Sequence, residues 1–584
     1  MGLRSFNEIW AVDFEFTAPD GHRPVPICMV AIELLTGRML RLNEEQLHQC
    51  RKAPFDTGYD SLFIAYYASA EFGCFLALGW PLPVNVIDLY GEFRNLTNGL
   101  TPPYGDGLLG ALLFFGLTPG NAAEKADMRA LAIRGGPYTG DEISGLIEYC
   151  GHDVEALAML WPVMEPRLDG RSLLRGRYMK AAALMEWNGI PIDTSMLTRL
   201  DAHWDGLKDH LVCRIDPVGE IWQAGKFSEA RFAEWLMLRG IPWPSLPSGR
   251  LQLDKDTWSD MGKCHPLVRP LAELRATLSK LRLTDLAVGP DGRNRAMLSA
   301  FRSKTGRNQP STSRFIFGSA SWIRSLIRPA AGYALAYIDW CQQEFGIGAV
   351  LSGDSAMLAA YTSSDPYLAF AKMAGAVPQD ATKASHPDAR CLFKMVVLGV
   401  GYSMTEHGLA PKLNMPLAYA KELLEMHRRC FPGFWQWSQG ASDFGQLHGR
   451  LHTRFGWLLH VTATTKDRTL RNFPCQANGA EMMRLAAIYA MEAGIKVCAP
   501  VHDAFLIEAP VDTIEHEVVR MQACMARASA DVLEGFQLNT EVDVIRHPDR
   551  FGGGANRMWQ LATKFVTDPS PHGQPTPSLA VTPA

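Results

Sequence analysis

The spacing of hydrophobic residues predicts an α/β segment at the start of the chain. The runs IWAVDFEF (9–16) and ICMVAIEL (27–34) have strand length and are rich in aromatic and β-branched residues. Apolar residues recur at helical spacing over 108–115 and 141–160. A boundary is expected near 162–170, where Pro and Gly interrupt the pattern. The pattern therefore predicts a separate α/β domain in front of the rest.

The pattern then becomes mostly helical and later returns to strands. Residues 173–188 are predicted to form a helix that ends in the turn NGIPID (188–193). Residues 195–290 are also expected to be mostly helical. Strands are predicted for ALAYIDW (334–340) and for two runs within VCAPVHDAFLIEAP (497–510). The whole chain is therefore expected to have a multidomain α/β fold.

Length and composition narrow the class of protein. A chain of 584 residues with 47% hydrophobic and 20% charged residues is typical of a soluble protein of three or four domains. We expect a cytosolic protein without a membrane partner, because the chain has neither a signal-peptide pattern nor an apolar run of about 18 residues. Twelve cysteines without a CxxC pair predict small buried thiols rather than a zinc site or disulfides. The Pro/Ser/Thr-rich segment 565–584 is predicted to be disordered.

Charge is distributed unevenly along the chain. The net charge is about −11 over residues 1–165, about +10 over 166–330 and about −3 over the remainder. An electropositive middle segment suits a surface that binds phosphates, because binding releases counterions. A solvated charged face without a ligand remains an alternative on this observation alone.

Acidic residues near both ends of the first domain could form a metal site. Asp13 and Glu15 are one residue apart on a predicted strand, so both side chains point to the same face. Tyr149 and Asp153 are four apart on a predicted helix and also share a face. Three converging carboxylates can hold two divalent ions for phosphodiester hydrolysis, and a tyrosine hydroxyl can orient the attacking water. Either pair alone is equally compatible with ordinary surface residues.

The order and spacing of these residues resemble the first and third motifs of the DEDD-type 3′→5′ exonucleases. The resemblance implies an RNase-H-like exonuclease domain in which Asp13, Glu15 and Asp153 bind metal and Tyr149 is catalytic. The second motif of that family normally supplies an aspartate. In the matching stretch YYASAEFGCFLALGW, Gly73 falls at that place, and Glu71 is the nearest acid that could bind the metal instead. An ordinary exposed glutamate is the alternative for Glu71.

Two further segments place acids at strand ends. Asp339 ends the apolar strand ALAYIDW, where it could bind a metal at the sheet edge or cap the helix that follows. His502 and Asp503 lie in a predicted turn between two apolar strands. Two aspartates at neighbouring strand ends are sufficient to hold two divalent ions.

A helix with a cationic stripe is predicted in RCLFKMVVLGVGYSM (390–404). Arg390, Lys394, Leu398 and Tyr402 recur every fourth residue and therefore line one side of the helix. The two cations are one turn apart, and the tyrosine lies about 12 Å beyond Lys394 along the axis. Such cations can bind a triphosphate while the ring stacks on a base.

These segments, taken in order, resemble the motifs of the family A DNA polymerases. The family patterns T-x-T-G-R-x-S, D-Y-S-Q-I-E-L, R-x3-K-x7-Y-G, R-x3-N-x3-Q and H-D-E correspond to segments that begin near 301, 339, 390, 468 and 502. The turn at 188–193 is similar to the one that opens the thumb in that family. Five positions depart from the family patterns: Trp340, Cys341, Leu398, Ser403 and Ala504.

The resemblance implies a role for each matching residue. Asp339 and Asp503 would bind two Mg²⁺ per active site, for which Mn²⁺ can substitute, and would act in catalysis together with Lys394. The residues implied to bind the nucleotide are Arg390, Lys394, Leu398, Tyr402, Glu344 and His502, with Glu344 excluding a 2′-hydroxyl. The residues implied to bind DNA are Arg468, Asn472, Gln476, Arg307 and Lys304.

The resemblance also implies an RNase-H-like exonuclease domain followed by a right-hand polymerase. The expected domains are exonuclease 1–165, thumb 166–300, palm 301–353 with 436–564, fingers 354–435 and tail 565–584. The expected function is DNA-directed DNA synthesis from primer–template DNA and dNTPs with proofreading, in the cytoplasm and with replication accessory proteins left open. Compact bacteriophage enzymes are the most similar kind, which would place the protein in a bacterial host. A 3′→5′ exonuclease with a DNA-binding second half, or an inactive accessory protein, remains an alternative.

Overall fold

The computed structural model describes residues 5–567 except 119–124, 224, 247, 280–284, 414 and 555. Most of the predicted disordered tail therefore lies outside the described residues. Its first residues, 565–567, are helical, so the prediction of disorder was wrong for them. They continue an amphipathic helix whose Phe565 is buried.

The strands and helices are numbered in chain order. Residues 5–192 contain β1 (Glu8–Thr17), β2 (Val25–Glu33), β3 (Met39–Asn43), α1 (Glu44–Gln49), β4 (Ser61–Ala65), α2 (Ser69–Leu78), β5 (Asn85–Asp88), α3 (Leu89–Thr97), α4 (Leu108–Phe114), α5 (Lys125–Arg134), α6 (Gly140–Met164), α7 (Gly170–Asn188) and β6 (Ile190–Pro191). Residues 193–279 contain α8 (Thr194–Ala202), α9 (Trp204–Ile215), β7 (Trp222–Gln223), β8 (Lys226–Phe227), α10 (Glu229–Leu238), α11 (Lys255–Cys264) and α12 (Arg269–Ser279).

The later residues contain β9 (Arg293–Asn294), β10 (Tyr333–Trp340), α13 (Gln343–Ser352), α14 (Ser355–Thr362), α15 (Pro366–Met373), α16 (Pro387–Gly401), α17 (Glu406–Leu413), α18 (Leu417–Cys430), α19 (Pro432–His448), β11 (Arg450–His452), β12 (Leu458–His460), α20 (Asp467–Glu492), β13 (Val497–Val501), β14 (Ala504–Pro510), α21 (Ile514–Val532), β15 (Thr540–Arg546) and α22 (Arg557–Thr567). The strands and helices that were predicted from the hydrophobic pattern are all present, and α8–α12 confirm the mostly helical stretch after 195.

The first sheet is mixed and has the order β3-β2-β1-β4-β5. β1 pairs antiparallel with β2 and parallel with β4, which puts it at the centre. Every residue of β2 after Val25 is buried, because helices α2 and α6 cover the sheet. Helix α6 begins at a capping box formed by Thr139 and Glu142. The topology agrees with the RNase-H-like sheet that the resemblance implied.

The second large sheet is antiparallel, with the order β13-β14-β10-β15. β10 lies inside this sheet, and Asp339 near its end is directly opposite Ala504 on β14 and Glu541 on β15. Side chains of directly opposite residues point to the same face of a sheet. Helix α21 packs on this sheet, and α20 packs against α21. The strand pairing therefore fixes which side chains surround Asp339.

Contacts between Cα atoms divide the chain into two compact units. The first consists of residues 1–192, 286–318 and 328–549, and the second of 193–285, 319–327 and 550–584. The predicted thumb, 166–300, does not coincide with either unit. Helix α7 belongs to the first unit because it packs against α2, β5 and α20. Of the predicted thumb, only residues 193–285 belong to the second unit, which also contains 319–327 and 550–584.

The second unit has a core of aromatic side chains. The ring of Phe232 stacks on that of Trp258 at 4.6 Å, and Trp243 meets both rings edge-on. Helix α22, from the end of the described chain, packs on α8 and α9. An ion pair between Arg550 and Asp193 connects the end of this unit to its beginning.

Within the first unit, the opening α/β segment is joined to the later segments by what we call the seam, formed by Glu92, Asn98, Arg175, Lys304 and Leu458. Arg175 donates to the buried carboxylate of Glu92 at 2.6 Å. The Asn98 amide donates to the carbonyl oxygens of Lys304 and Leu458, at 2.6 Å each. Removing one partner of a buried ion pair typically costs about 3–5 kcal/mol. The seam is therefore a packed and charged interface.

Two predictions about the exterior can be compared with the structure. No helix among the described residues is long and apolar enough to span a membrane. All twelve cysteines are free thiols, but Cys213 and Cys391 are exposed. The prediction that the cysteines are buried is confirmed for five of them, whereas five others are half-buried and these two are exposed.

Candidate active sites

The first candidate site lies where β1, α2 and α6 meet. Asp13 and Glu15 are half-buried on β1, and Glu71 on α2 is only 4% exposed. Burial and the negative charges of Asp13 and Glu15 raise the pKa of the Glu71 carboxyl well above its usual range, and Asp153 adds to the shift. The structure therefore brings all four predicted metal-binding carboxylates together.

Glu71, and not position 73, supplies the acidic side chain from α2. Residues two apart on a helix point to nearly opposite sides, so a side chain at 73 would face away from Asp13. A Cβ atom at Gly73 would lie 3.0 Å from Cγ of Pro24, which leaves little room there. The alternative that Glu71 is an ordinary exposed residue is contradicted by its burial.

Tyr149 hydrogen-bonds to Asp153 one turn further along α6. Burial, followed by the charges of Asp153 and Glu15, raises the pKa of the Tyr149 hydroxyl, which therefore stays protonated. Within the described part of the chain, no three acidic, histidine or cysteine side chains already surround a point where a metal ion would fit. Oε2 of Glu71 is nevertheless buried without a hydrogen-bond partner there, which suits a hard oxygen ligand.

The second candidate site lies at the end of β10. Asp503 follows β13 in the turn to β14, and its carbonyl oxygen accepts a hydrogen bond from the Trp340 amide at 3.2 Å. Burial and the charges of Asp503 and Glu541 raise the pKa of the Asp339 carboxyl to about 7. Burial also raises the pKa of Asp503, while Arg307 and His502 act in the opposite direction. Oδ1 of Asp339 is buried and lacks a hydrogen-bond partner among the described residues. The two aspartates therefore form a crowded pair of oxygen donors that suits divalent cations.

The two aspartates open into a cavity of about 520 Å³. Ligand sites in proteins commonly have about 300–1,000 Å³. The residues of the polymerase resemblance that line it are Arg307, Asp339, Glu344, Lys394, Leu398, Tyr402, Asn472, His502 and Asp503. The cavity is lined by carboxylates from the sheet edge and by the exposed side chains of Lys394 and Tyr402. This combination suits a charged ligand that also has a flat ring.

The two predicted phosphate-binding cations of α16 have different environments. Arg390 forms an ion pair with Asp365, which also caps helix α15. Lys394 is exposed, has no ion pair within the described chain, and has its ammonium 5.7 Å from the ring centre of Tyr367. Lys394 lines the cavity and Arg390 does not. The structure therefore presents Lys394 to a ligand and holds Arg390 against Asp365.

Glu344 and Arg307 form an ion pair inside the cavity, with Nη2 of Arg307 2.9 Å from Oε1 of Glu344. Arg307 follows Gly306, which has φ of +74° and is packed against Trp457 and Arg484. This tight turn points Arg307 into the cavity, next to Glu344. The predicted contact of Arg307 with the DNA backbone stays a prediction, as does that of the exposed Lys304.

Helix α20 carries the predicted DNA-reading residues. Arg468 is exposed at its first turn, and Asn472 and Gln476 follow one and two turns later, half-buried. Only Asn472 of the three lines the cavity. Its Oδ1 accepts a hydrogen bond from Ser403, which follows Tyr402 at the end of α16. The roles of Arg468 and Gln476 stay predictions.

The structure adds residues that the sequence did not single out. Glu541 is directly opposite Asp339, on the side away from Ala504, and thus brings a third acid to the sheet edge where Ala504 lacks one. Tyr367 and Asp365 surround the cations of α16. Asp365 precedes Pro366 in a helix-capping pattern that the sequence offers, whereas nothing near Glu541 indicates which strand it joins.

Known proteins resemble the part of the chain that forms the second site. Residues 308–545, which contain the aspartates, α16 and α20, match the model of DNA polymerase family A. The match covers the segment that forms the second site, about two fifths of the chain. DNA polymerase I of Chloroflexus aurantiacus is 25% identical over 390 residues, which cover 61% of this chain and 41% of that protein. The thermostable DNA polymerase I of Thermus aquaticus is 26% identical over 47% of this chain and 34% of its own length.

The chain thus spans less than half the length of these curated relatives. Among solved structures, it is similar to the POL domain of Pol1 from M. smegmatis in complex with DNA primer-template and dNTP. The TM-score is 0.67 at 20% sequence identity, over 94% of this chain and 96% of the other. This similarity confirms the α/β multidomain polymerase fold.

Proposed function

We propose that this chain is a family A DNA-directed DNA polymerase that extends a primer with dNTPs. The observation that carries the proposal is the cavity that has Asp339 and Asp503 on the sheet edge and Lys394 and Tyr402 on α16. Primer–template DNA and dNTPs are the proposed ligands. Replication accessory proteins, a cytoplasmic location and a bacteriophage origin remain predictions.

The proposed chemistry follows from the charges that line the cavity. Asp339 and Asp503 would hold two Mg²⁺ ions through their carboxylate oxygens. Ions held by these two aspartates would supply a lower pKa for the primer 3′-hydroxyl and neutralisation of charge on the pyrophosphate leaving group. Lys394 donates to the triphosphate, and exposed Tyr402 offers its ring face to a base. These residues place the reacting groups next to each other, which is the main contribution of proteins to phosphoryl transfer.

Primer extension tests this proposal directly. The wild-type chain, given a labelled primer–template, Mg²⁺ and four dNTPs, should lengthen the primer to the template end. Without dNTPs, the same mixture reports 3′→5′ degradation. Degradation without extension would favour the exonuclease-only alternative, and neither activity would favour an accessory protein.

Lys394→Ala should raise the KM for dNTPs by roughly 10- to 100-fold, the value of one charge-assisted hydrogen bond. Because Lys394 is exposed and has no ion pair within the described chain, the thermal midpoint should change little. Steady-state kinetics measure the KM for dNTPs, and a melting curve measures the thermal midpoint. Lys383 is an exposed lysine that precedes α16, and Lys383→Ala is the control for the loss of one charge. An unchanged KM in Lys394→Ala would contradict the proposed triphosphate position.

Glu344→Ala should lower the ratio of kcat/KM for dCTP over CTP by at least about 10-fold, because the carboxylate would no longer exclude a 2′-hydroxyl. Single-nucleotide insertion measures this ratio. Glu344→Gln keeps the volume and should keep most of the discrimination. If Glu344→Ala retains the wild-type ratio, another residue selects the sugar.

A 3′→5′ exonuclease is the second candidate function, and the observation that favours it is the buried Glu71 beside Asp13, Glu15 and Asp153. These carboxylates would hold two divalent ions, and the protonated Tyr149 would orient the attacking water. The proposed role is proofreading of newly added nucleotides.

A further inference from the structure

Ser403 has a backbone conformation that serine rarely adopts. It follows Tyr402, the last residue of α16's final turn, with φ of +50°. Its amide donates to the Val400 carbonyl at 2.8 Å, and the Met404 amide donates to the Gly399 carbonyl at 2.9 Å. These two bonds form a Schellman motif, in which glycine is usual at the position of Ser403. A side chain here costs conformational energy that glycine avoids.

The hydroxyl of Ser403 provides a contact that the helix end does not need. Oγ of Ser403 donates to Oδ1 of Asn472 at 2.6 Å. The backbone bonds of the motif would form equally well with glycine, so only this contact depends on a serine. Both residues line the cavity together with Asp339, Lys394 and Tyr402. A strained residue that is held in place by its contact to a site residue indicates a functional constraint.

In the structure, Asn472 accepts this hydrogen bond through Oδ1 of its side-chain amide. Because Oδ1 accepts from Ser403, the amide is turned so that Nδ2 is left as the donor. Nδ2 has no hydrogen-bond partner within the described chain and is not buried. Every Watson–Crick pair carries an acceptor on its minor-groove edge, purine N3 or pyrimidine O2. A donor fixed at this place can test pair geometry without preferring a sequence.

We propose that Ser403 is a positioning residue that orients Asn472 toward a minor-groove acceptor of a base pair in the cavity. The proposal rests on the polymerase function proposed above. Through Ser403, the orientation of Asn472 depends on the end of α16. Ser403 directly follows Tyr402, and Lys394 lies on the same helix. Loss of the hydroxyl lets the Asn472 amide rotate and present its acceptor instead.

The test compares Ser403→Ala with Ser403→Gly. Both remove the hydroxyl, but only glycine relieves the strain at φ of +50°. We expect both variants to lose about three- to ten-fold in kcat/KM for correct insertion, the value of one hydrogen bond. We also expect the Gly variant to have the higher thermal midpoint of the two. The control is Ser363→Ala, which changes an exposed serine just after α14 whose hydroxyl donates to the Ala360 carbonyl oxygen.

A probe that lacks the acceptor separates positioning from a general defect. 3-Deazaguanine, which has no N3 acceptor, is placed in turn as the templating base and in each strand of the terminal primer pair. At one of these positions the wild-type chain should lose insertion efficiency. It should also lose affinity for the primer–template, which fluorescence anisotropy measures. Both Ser403 variants and Asn472→Ala should be insensitive to the probe.

Two results would overturn the proposal: wild-type behaviour of Ser403→Ala, or full recovery in Ser403→Gly, which would attribute the effect to the backbone. If the wild-type chain binds primer–template without extending it, the polymerase proposal fails, and the anisotropy measurement still decides the role of Ser403. If 3-deazaguanine then changes the affinity of wild type and of Ser403→Ala equally, the positioning role of Ser403 is rejected.

Discussion

Asp503→Asn should lower primer extension by at least about 1,000-fold, because an amide binds Mg²⁺ poorly and the proposed mechanism needs both aspartates. Primer–template affinity should stay nearly unchanged, since the predicted DNA contacts lie on α20 and around Arg307. The pKa of Asp503 is raised by burial, so a neutral side chain is tolerated at this place and the fold should persist. Single-turnover extension and an anisotropy titration measure the two effects.

Asp512→Asn is the matched control for this variant. Asp512 is an exposed aspartate just beyond the other end of β14, so the same change of charge occurs outside the cavity. It should extend primers at the wild-type rate. Extension by Asp503→Asn at a similar rate would reject the assignment of the cavity as the site of synthesis.

Glu71→Gln should lower 3′→5′ degradation of the primer by at least about 100-fold without changing extension. Glutamine has the volume of glutamate but lacks the charge that a metal requires. The thermal midpoint should stay the same or rise, because burial, followed by the charges of Asp13 and Glu15, disfavours the ionised form of Glu71 that the change removes. Degradation of a labelled primer without dNTPs, with Mg²⁺ and then Mn²⁺, measures the activity.

Glu155→Gln is the matched control, because Glu155 is an exposed glutamate on α6. This variant should degrade primers as the wild-type chain does. Asp13→Ala should lose degradation together with Glu71→Gln and should raise the error rate of synthesis. If the wild-type chain shows no degradation with either ion, the carboxylates around Glu71 have a structural role only. In that case both variants should differ from wild type in stability alone.

The elements that carry chemistry were predictable because each has a local pattern. The alternation in β1 identified Asp13 and Glu15, and the four-residue spacing on α16 identified Lys394 and Tyr402. For α2 the sequence left two alternatives for Glu71, a substitute metal ligand or an ordinary exposed residue, and only its burial in the structure excludes the second.

The contacts that could not be predicted join distant segments. Glu541 lies opposite Asp339 only because β15 pairs with β10 some 200 residues earlier, and no local signal specifies that pairing. The partner of Arg390 is Asp365, the N-cap of the preceding helix, so a cation at the right spacing is held in an ion pair and does not line the cavity. The division into units also depends on packing, because α7 joins the first unit through its neighbours and not through its sequence position.

The seam has a consequence for how this protein can evolve and be engineered. A Cβ atom at Gly99 would lie 2.2 Å from the carbonyl oxygen of His460, and one at Gly176 would lie 1.9 Å from that of Val86, so the segments meet at backbone distance. The opening α/β segment is thus not a detachable module. A gene shortened to residues 166–584 would leave the guanidinium of Arg175 without Glu92 and the carbonyls of Lys304 and Leu458 without Asn98. Selection can therefore remove the activity of that segment one side chain at a time, but it must keep its scaffold.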